Sequence, residues 1–188
     1  MSKVILLNEL KTFTLGVTRE LIFPVAQQKE DKEPPKPRAA EVFAPRLPDS
    51  KSAKKKAPYI LHQIINDKDI QPEGQRLQST AIVRSIFCVY NPDEQEGGLA
   101  LLTLMDQFRI SLLERPIVGA QFTLDLEAGM ESMVYPEDTA PYFAGEMVTV
   151  WRMPPVNRLD ATRVIHGMPP WDPTPRHLEE TIKLKGSE

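Results

Sequence analysis

A chain of 188 residues with 41% hydrophobic residues is long enough for one domain with extensions and apolar enough to bury a real core. Its single cysteine, Cys88, excludes an intramolecular disulfide framework and suits a reducing compartment. The formal net charge of −3 conceals an asymmetry: residues 29–56 hold nine basic and five acidic side chains, a local +4 that leaves −7 for the rest.

The N-terminal "MSKVILLNELKTFTLGVTRELIF" has no apolar run long enough to cross a bilayer, nor the uninterrupted core and small-residue cleavage site of a signal peptide. The expectation is a soluble chain made in the cytoplasm, with no membrane partner. Val4, Leu7, Leu10, Thr14, Val17 and Leu21 recur at spacings of three and four, which predicts a helix over 1–23 that belongs to the core. Seven of the 18 prolines then fall between Pro24 and Pro58 and six between Pro154 and Pro175. Proline lacks an N–H and fixes its own φ, so both stretches are poor helix or strand. Residues 24–58, rich in Pro and Lys with Val42, Phe43 and Leu47 as their main apolar anchors, read as an extended loop that needs a partner to order it.

The block 59–154 has a different character. "YILHQIINDKDI" and "LQSTAIVRSIFCVY" are rich in β-branched and aromatic residues, and "QPEGQR" between them has turn chemistry, so an antiparallel pair is expected. A helix follows over "LALLTLMDQFRISLLE", with Leu101, Leu104, Met105, Phe108 and Leu112 as the buried seam and Asp106, Gln107, Ser111 and Glu114 facing away. In "VGAQFTLDLE" the residues Val118, Ala120, Phe122, Leu124 and Leu126 alternate with Gly119, Gln121, Thr123, Asp125 and Glu127, the pattern of a half-buried strand. "MESMVY" and "YFAGEMVTVWRM" complete the set. The expected fold is α+β: a mixed or antiparallel sheet of about five strands with two helices on one face, plus the basic loop and an extended C-terminal arm over 155–188.

The acidic turn "NPDEQEGG" at the start of the second helix poses the main chemical question. Asn91 or Asp93 can accept from unpaired backbone N–H groups, and Glu94 and Glu96 sit well against the positive end of the helix dipole. A metal loop needs further converging ligands, and nearby sequence offers none at recognisable spacing. His62, His166 and His177 are scattered, and no H-x-x-x-H, C-x-x-C, G-x-S-x-G or P-loop pattern is present. Cys88 at the end of an apolar strand reads as a small buried hydrophobe. Asp125 and Glu127 share a strand face and can form a carboxylate pair, but bare alternation reads them as solvated. No catalytic residue, metal or cofactor is expected.

The run "KSAKKKAP" is either a solvated loop or a contact with nucleic acid or an acidic neighbour. No aromatic platform is interleaved with its lysines, so an acidic neighbouring subunit fits better than a single strand. In the C-terminal arm, proline pairs favour an extended path, and Val164, Ile165, Met168 and Trp171 supply apolar anchors.

From Ile82 to Arg152, roughly 70 of the 188 residues, a strand ends in Tyr90 and an acidic turn of Asp93, Glu94, Gln95 and Gly97. A helix exit of Leu112, Leu113, Glu114, Ile117 and Gly119 follows, then Pro141 and Tyr142 before Gly145, Glu146, Met147, Thr149 and Trp151. In this string of residues the chain resembles the tail terminator, or neck, proteins of long-tailed bacteriophages and prophages. The resemblance implies a structural virion protein, assembled in the host cytoplasm. Such a protein forms a ring, typically a hexamer, on the last ring of the tail tube, ends tube polymerisation and joins the tail to the head connector or adaptor protein. Genomic DNA passes through the lumen of such a ring without sequence-specific binding. Residues 24–58 and the arm after Pro154 depart from the family's compact pattern and are expected to reach neighbouring subunits or the connector. Lys54, Lys55, Lys56, Arg46, Arg152 and Trp171 are the candidate contacts. Another neck role, head completion or tail completion, and a nucleic-acid-binding module using the basic loop are the competing readings.

Overall fold

The structure, a computed structural model, describes residues 2–27, 33, 35–48, 53, 56–136 and 140–154. The expected arm over 155–188, Lys54 and Lys55, and the "PED" turn lie largely or wholly outside these residues.

The fold is α+β, with two helices and a mixed sheet. The helices are α1 (Ser2–Thr18) and α2 (Glu94–Glu114); the strands are β1 (Glu41–Phe43), β2 (Tyr59–Ile70), β3 (Gln78–Tyr90), β4 (Ile117–Val118), β5 (Phe122–Leu124), β6 (Met130–Val134) and β7 (Tyr142–Arg152). The strand order is β1-β2-β3-β7-β5-β4, with β6 also paired to β7. All pairings are antiparallel except β1 with β2. The long β2–β3–β7 ladder is the frame. Alternation along it divides the faces: Ile60, Val83, Phe87, Val89, Met147 and Trp151 point to the helices, while Tyr59, Leu61, Ile86, Cys88 and Ala144 form a smaller cluster on the opposite face.

The helices cover one face, as the amphipathic seams predict. Leu101, Leu104, Met105, Phe108 and Leu112 of α2 are all buried, and α1 adds Leu6 and Leu10 to the same core. Phe13 of α1 meets Phe108 of α2 edge to face, at 6.4 Å between ring centroids.

Several expectations are corrected. Among the described residues the sheet has seven strands rather than about five, because β1 and β4 are added. The first helix stops at Thr18 instead of residue 23; of its expected stripe Leu7, Leu10 and Thr14 are buried and Val17 partly so, Leu6 and Thr18 join them, and Val4 is left 64% exposed. Thr14 and Thr18 tolerate burial because their hydroxyls donate to the carbonyls of Leu10 and Thr14. Ser111, expected to face away, is buried. "VGAQFTL" is a hairpin instead of one strand: Gly119 and Ala120 have φ of +59° and +55°, which reverses the chain between β4 and β5 and leaves Ala120 exposed. Leu126, expected on the buried side, is 51% exposed.

The proline-rich stretch is also partly built into the fold. Phe23 and Arg38 exchange backbone hydrogen bonds, β1 extends the sheet beside the first residues of β2, and Leu47 packs on the second cluster with Phe43. The Arg38 guanidinium ties this segment down by an ion pair to Glu41 at 2.7 Å and a hydrogen bond to the Lys56 carbonyl at 2.9 Å. The core therefore reaches back beyond residue 59.

Candidate functional site

The acidic turn is a helix cap. Asp93 adopts extended backbone angles and its carboxylate accepts from Glu96 N at 2.9 Å; Asn91 Oδ1 accepts from Asp93 N at 3.0 Å. Glu94 and Glu96 occupy the first turn of α2, beside the positive end of its dipole. Gly97 is required by packing rather than by a ligand, since a Cβ there would lie 2.1 Å from the Phe143 ring. Among the described residues no group of three or more His, Cys, Asp or Glu side chains is arranged to hold a metal ion.

Asp125 and Glu127 are held by Arg152, at 2.8 and 3.0 Å from its Nη2. The hydrogen bond from Arg152 holds the Asp125 carboxyl below the usual carboxylate range. Both lie just after β5 and clamp the cation at the end of β7; the Asp125 side chain is 14% exposed, whereas Glu127 is 88% exposed, as expected of a solvated position. Arg152 keeps a half-exposed side chain on this clamp.

Two polar clusters went unseen in the sequence. On the face away from the helices, the Arg84 guanidinium, the Glu146 carboxylate and the Tyr135 hydroxyl contact one another, with Arg84 Nη2 donating to Tyr135 at 2.9 Å. The Tyr135 hydrogen bond, and then Arg84, keep the Glu146 carboxyl below its ordinary range. Arg84 and Glu146 come from adjacent strands, two positions apart in register on the same face, so the ladder itself sets their approach.

The second cluster lies under the helices. His62 is 0% exposed; its Nε2 lies 2.9 Å from Thr14 Oγ1 and its Nδ1 2.8 Å from Ser85 Oγ. Thr14 already donates its only hydroxyl hydrogen to the Leu10 carbonyl, so it must accept from His62 Nε2–H, which leaves Nδ1 to accept from Ser85. The neutral ring is fully satisfied. Burial lowers its pKa from 6.5 to about 3. A Ser–His pair invites comparison with a nucleophile and its base, but this one is sealed beneath α1 and the Phe108 ring, 5.6 Å away between centroids. It ties α1 to β2 and β3. A signal was available: His62 sits between Ile60 and Ile64 in the inward phase of β2.

The candidate contact residues do not converge. Arg46 is exposed in the turn after β1, and Lys56 is half-buried just before β2. Arg152 stands at the other end of the ladder: Tyr59 is level with Cys88 and Ala144, eight residues along β7 from Arg152, or about 27 Å. Lys54, Lys55 and Trp171 lie outside the described residues.

What the structure does present is exposed apolar surface and open sheet edges. Leu99, Leu102, Ile110 and Leu113 project from the outward side of α2, and Met133 and Val134 from β6. Comparison with models of known protein families and with curated proteins finds no match to the chain.

Proposed function

We propose that this chain is a tail terminator: a structural virion protein that forms a ring at the head-proximal end of a phage tail tube, stops the tube's polymerisation and joins it to the head connector. The reading rests on the resemblance from Ile82 to Arg152. The observation that carries it is that several residues of this resemblance have structural roles in the packing of α2 and β3 with β7. Tyr90 packs against Tyr142 with ring centroids 5.4 Å apart and planes tilted by 58°; Asp93 caps α2; Gly97 makes room for Phe143. Gly119 supplies a positive φ beyond the helix exit, Gly145 admits Met105 and the Met133 carbonyl, and Trp151 Nε1 donates to Thr149 at 2.9 Å. Gly97 and Gly145 join α2 to β7 and Tyr90 joins β3 to β7, and this shared packing of distant residues supports a tail-terminator-like fold.

A ring subunit makes heterologous contacts and needs two different surfaces, one for each neighbour. Open edges on opposite sides of one sheet fit that need. The test is to mix the purified protein with growing tubes of a phage tail tube protein. Tubes that stop elongating and carry the protein at one end are expected. Binding to the connector alone would move the assignment to head completion. A salt-sensitive shift of duplex DNA, lost when Lys54, Lys55 and Lys56 are neutralised, would replace it with the nucleic-acid reading.

A further inference from the structure

The sheet has two long edges with no partner strand among the described residues. One is β6, whose far side from β7 is open and whose residues 131–134 are all exposed. The other is the distal half of β2: β1 covers only Tyr59, Ile60 and Leu61, and residues 65–70 are exposed. An open edge is a row of unpaired N–H and C=O groups, and another strand of matching length satisfies it. The bulge between Ile64 and Asn66 leaves residues 66–70 as a regular five-residue run, the same length as β6.

We propose that β6 of one copy adds to the distal edge of β2 in the next copy, so that the sheet continues from subunit to subunit. The idea rests on the ring reading above and names the contact that makes the ring.

Direction, charge and stagger support it. Within the chain β6 runs antiparallel to β2, because three antiparallel steps separate them. Copies related by rotation about an axis near the strand direction keep that relation, so the new pairing is antiparallel. Glu131 lies opposite Val148, which pairs with Arg84, so it is on the face away from the helices; Lys68, opposite Thr80, is on that same face. Neither has an ion-pair partner among the described residues. An antiparallel register that sets Glu131 against Lys68 keeps every side chain on its proper face and puts Met133 beside Asn66. A one-residue slip in either direction would break both.

The two edges sit at different heights. Glu131 is level with Arg84 and Lys68 with Thr80, a stagger of four residues, or about 14 Å. Four strands, β2, β3, β7 and β6, span about 19 Å at ordinary strand spacing. Bringing the edges together therefore tilts the strands by about 36° from the ring axis, within the roughly 35–45° that closed sheets adopt.

Native mass spectrometry across a concentration series, on the full chain, tests the contact. Lys68→Glu and Glu131→Lys, each placing like charges opposite one another, are expected to weaken assembly about tenfold or more, and the double variant to restore it. Both sites are exposed, and circular dichroism verifies that the variants fold. As a second readout, Lys68→Cys in one tagged copy and Glu131→Cys in another are expected to cross-link on oxidation, whereas either variant alone is not. Single reversals that assemble like wild type, a double variant that stays apart, or no cross-link between the mixed copies would overturn the proposal. Tube capping by a protein whose reversals change nothing would leave the terminator reading standing and remove this contact. Charge-dependent assembly without capping would do the reverse.

Discussion

The buried His62 makes acid stability a specific test of the packing. Its ring is 0% exposed, with both nitrogens engaged and Phe108 against one face. The folded protein therefore favours the neutral ring, with a pKa of about 3 against 6.5 when exposed. Because the unfolded chain binds the proton first, stability is complete above pH 6.5 and falls as pH drops toward 3. Carboxylates join in below about pH 4.5, so the interval from 6.5 to 4.5 belongs to histidine. At pH 4.5 the loss from His62 is about 2.7 kcal/mol, two pKa units at about 1.4 kcal/mol each. Urea unfolding of wild type and His62→Gln at half-unit steps measures it. The variant starts about 1–3 kcal/mol less stable at pH 7, from its disturbed hydrogen bonds, but its curve stays flatter through the interval. A wild-type curve as flat as the variant's, or a His62 ring resonance titrating near 6.5, would refute the burial and the tautomer argued from it.

Other substitutions probe the same frame. Gly145→Ala places a Cβ 2.8 Å from the Met133 carbonyl oxygen and 2.9 Å from Met105 Sδ, and is expected to cost about 1–3 kcal/mol in urea unfolding. Gly98→Ala, with nothing within 4 Å of the new methyl, is expected to stabilise α2 by up to about 1 kcal/mol. Asp93→Ala removes the cap on Glu96 N and lowers stability by about 1 kcal/mol, while Asp93→Asn retains most of it. Glu146→Gln flattens the loss of stability below pH 4.5, because the Glu146 carboxyl, held below its ordinary pKa, contributes above the unfolded value and is lost as pH falls through the folded one. Equal slopes in wild type and variant would contradict the assignment of that carboxyl.

The parts of the fold legible in the sequence are those where one periodicity dominates. The α2 seam, the β2–β3 pair and the Asp93 cap follow from spacing and cap chemistry, and the structure has them where expected. In α1 the expected stripe holds at Leu7, Leu10 and Thr14 and fails at Val4, and it missed Leu6 and Thr18. Threonines that satisfy their own hydroxyls on the helix backbone carry no hydrophobic signal. β1 and β4 are three and two residues long, too short for any period, and exist because β2 and β5 offer partners. The "VGAQFTL" alternation concealed a turn whose second positive-φ residue is alanine, which composition does not announce. Of the polar sites, Arg152, Asp125 and Glu127 were each singled out from sequence but their pairing was not, since the carboxylates lie more than twenty residues from Arg152 and meet it only through β5 and β7 pairing. The exposed edges of β2 and β6 are properties of strand order, which no single segment encodes.

The proposed role in ending a tube is tested by tail length in particles assembled with and without the protein, read by electron microscopy, with purified protein added back. Tubes of unregulated length lacking heads, restored to uniform headed tails by the added protein, are the predicted result; uniform, head-joined tails in its absence would contradict it.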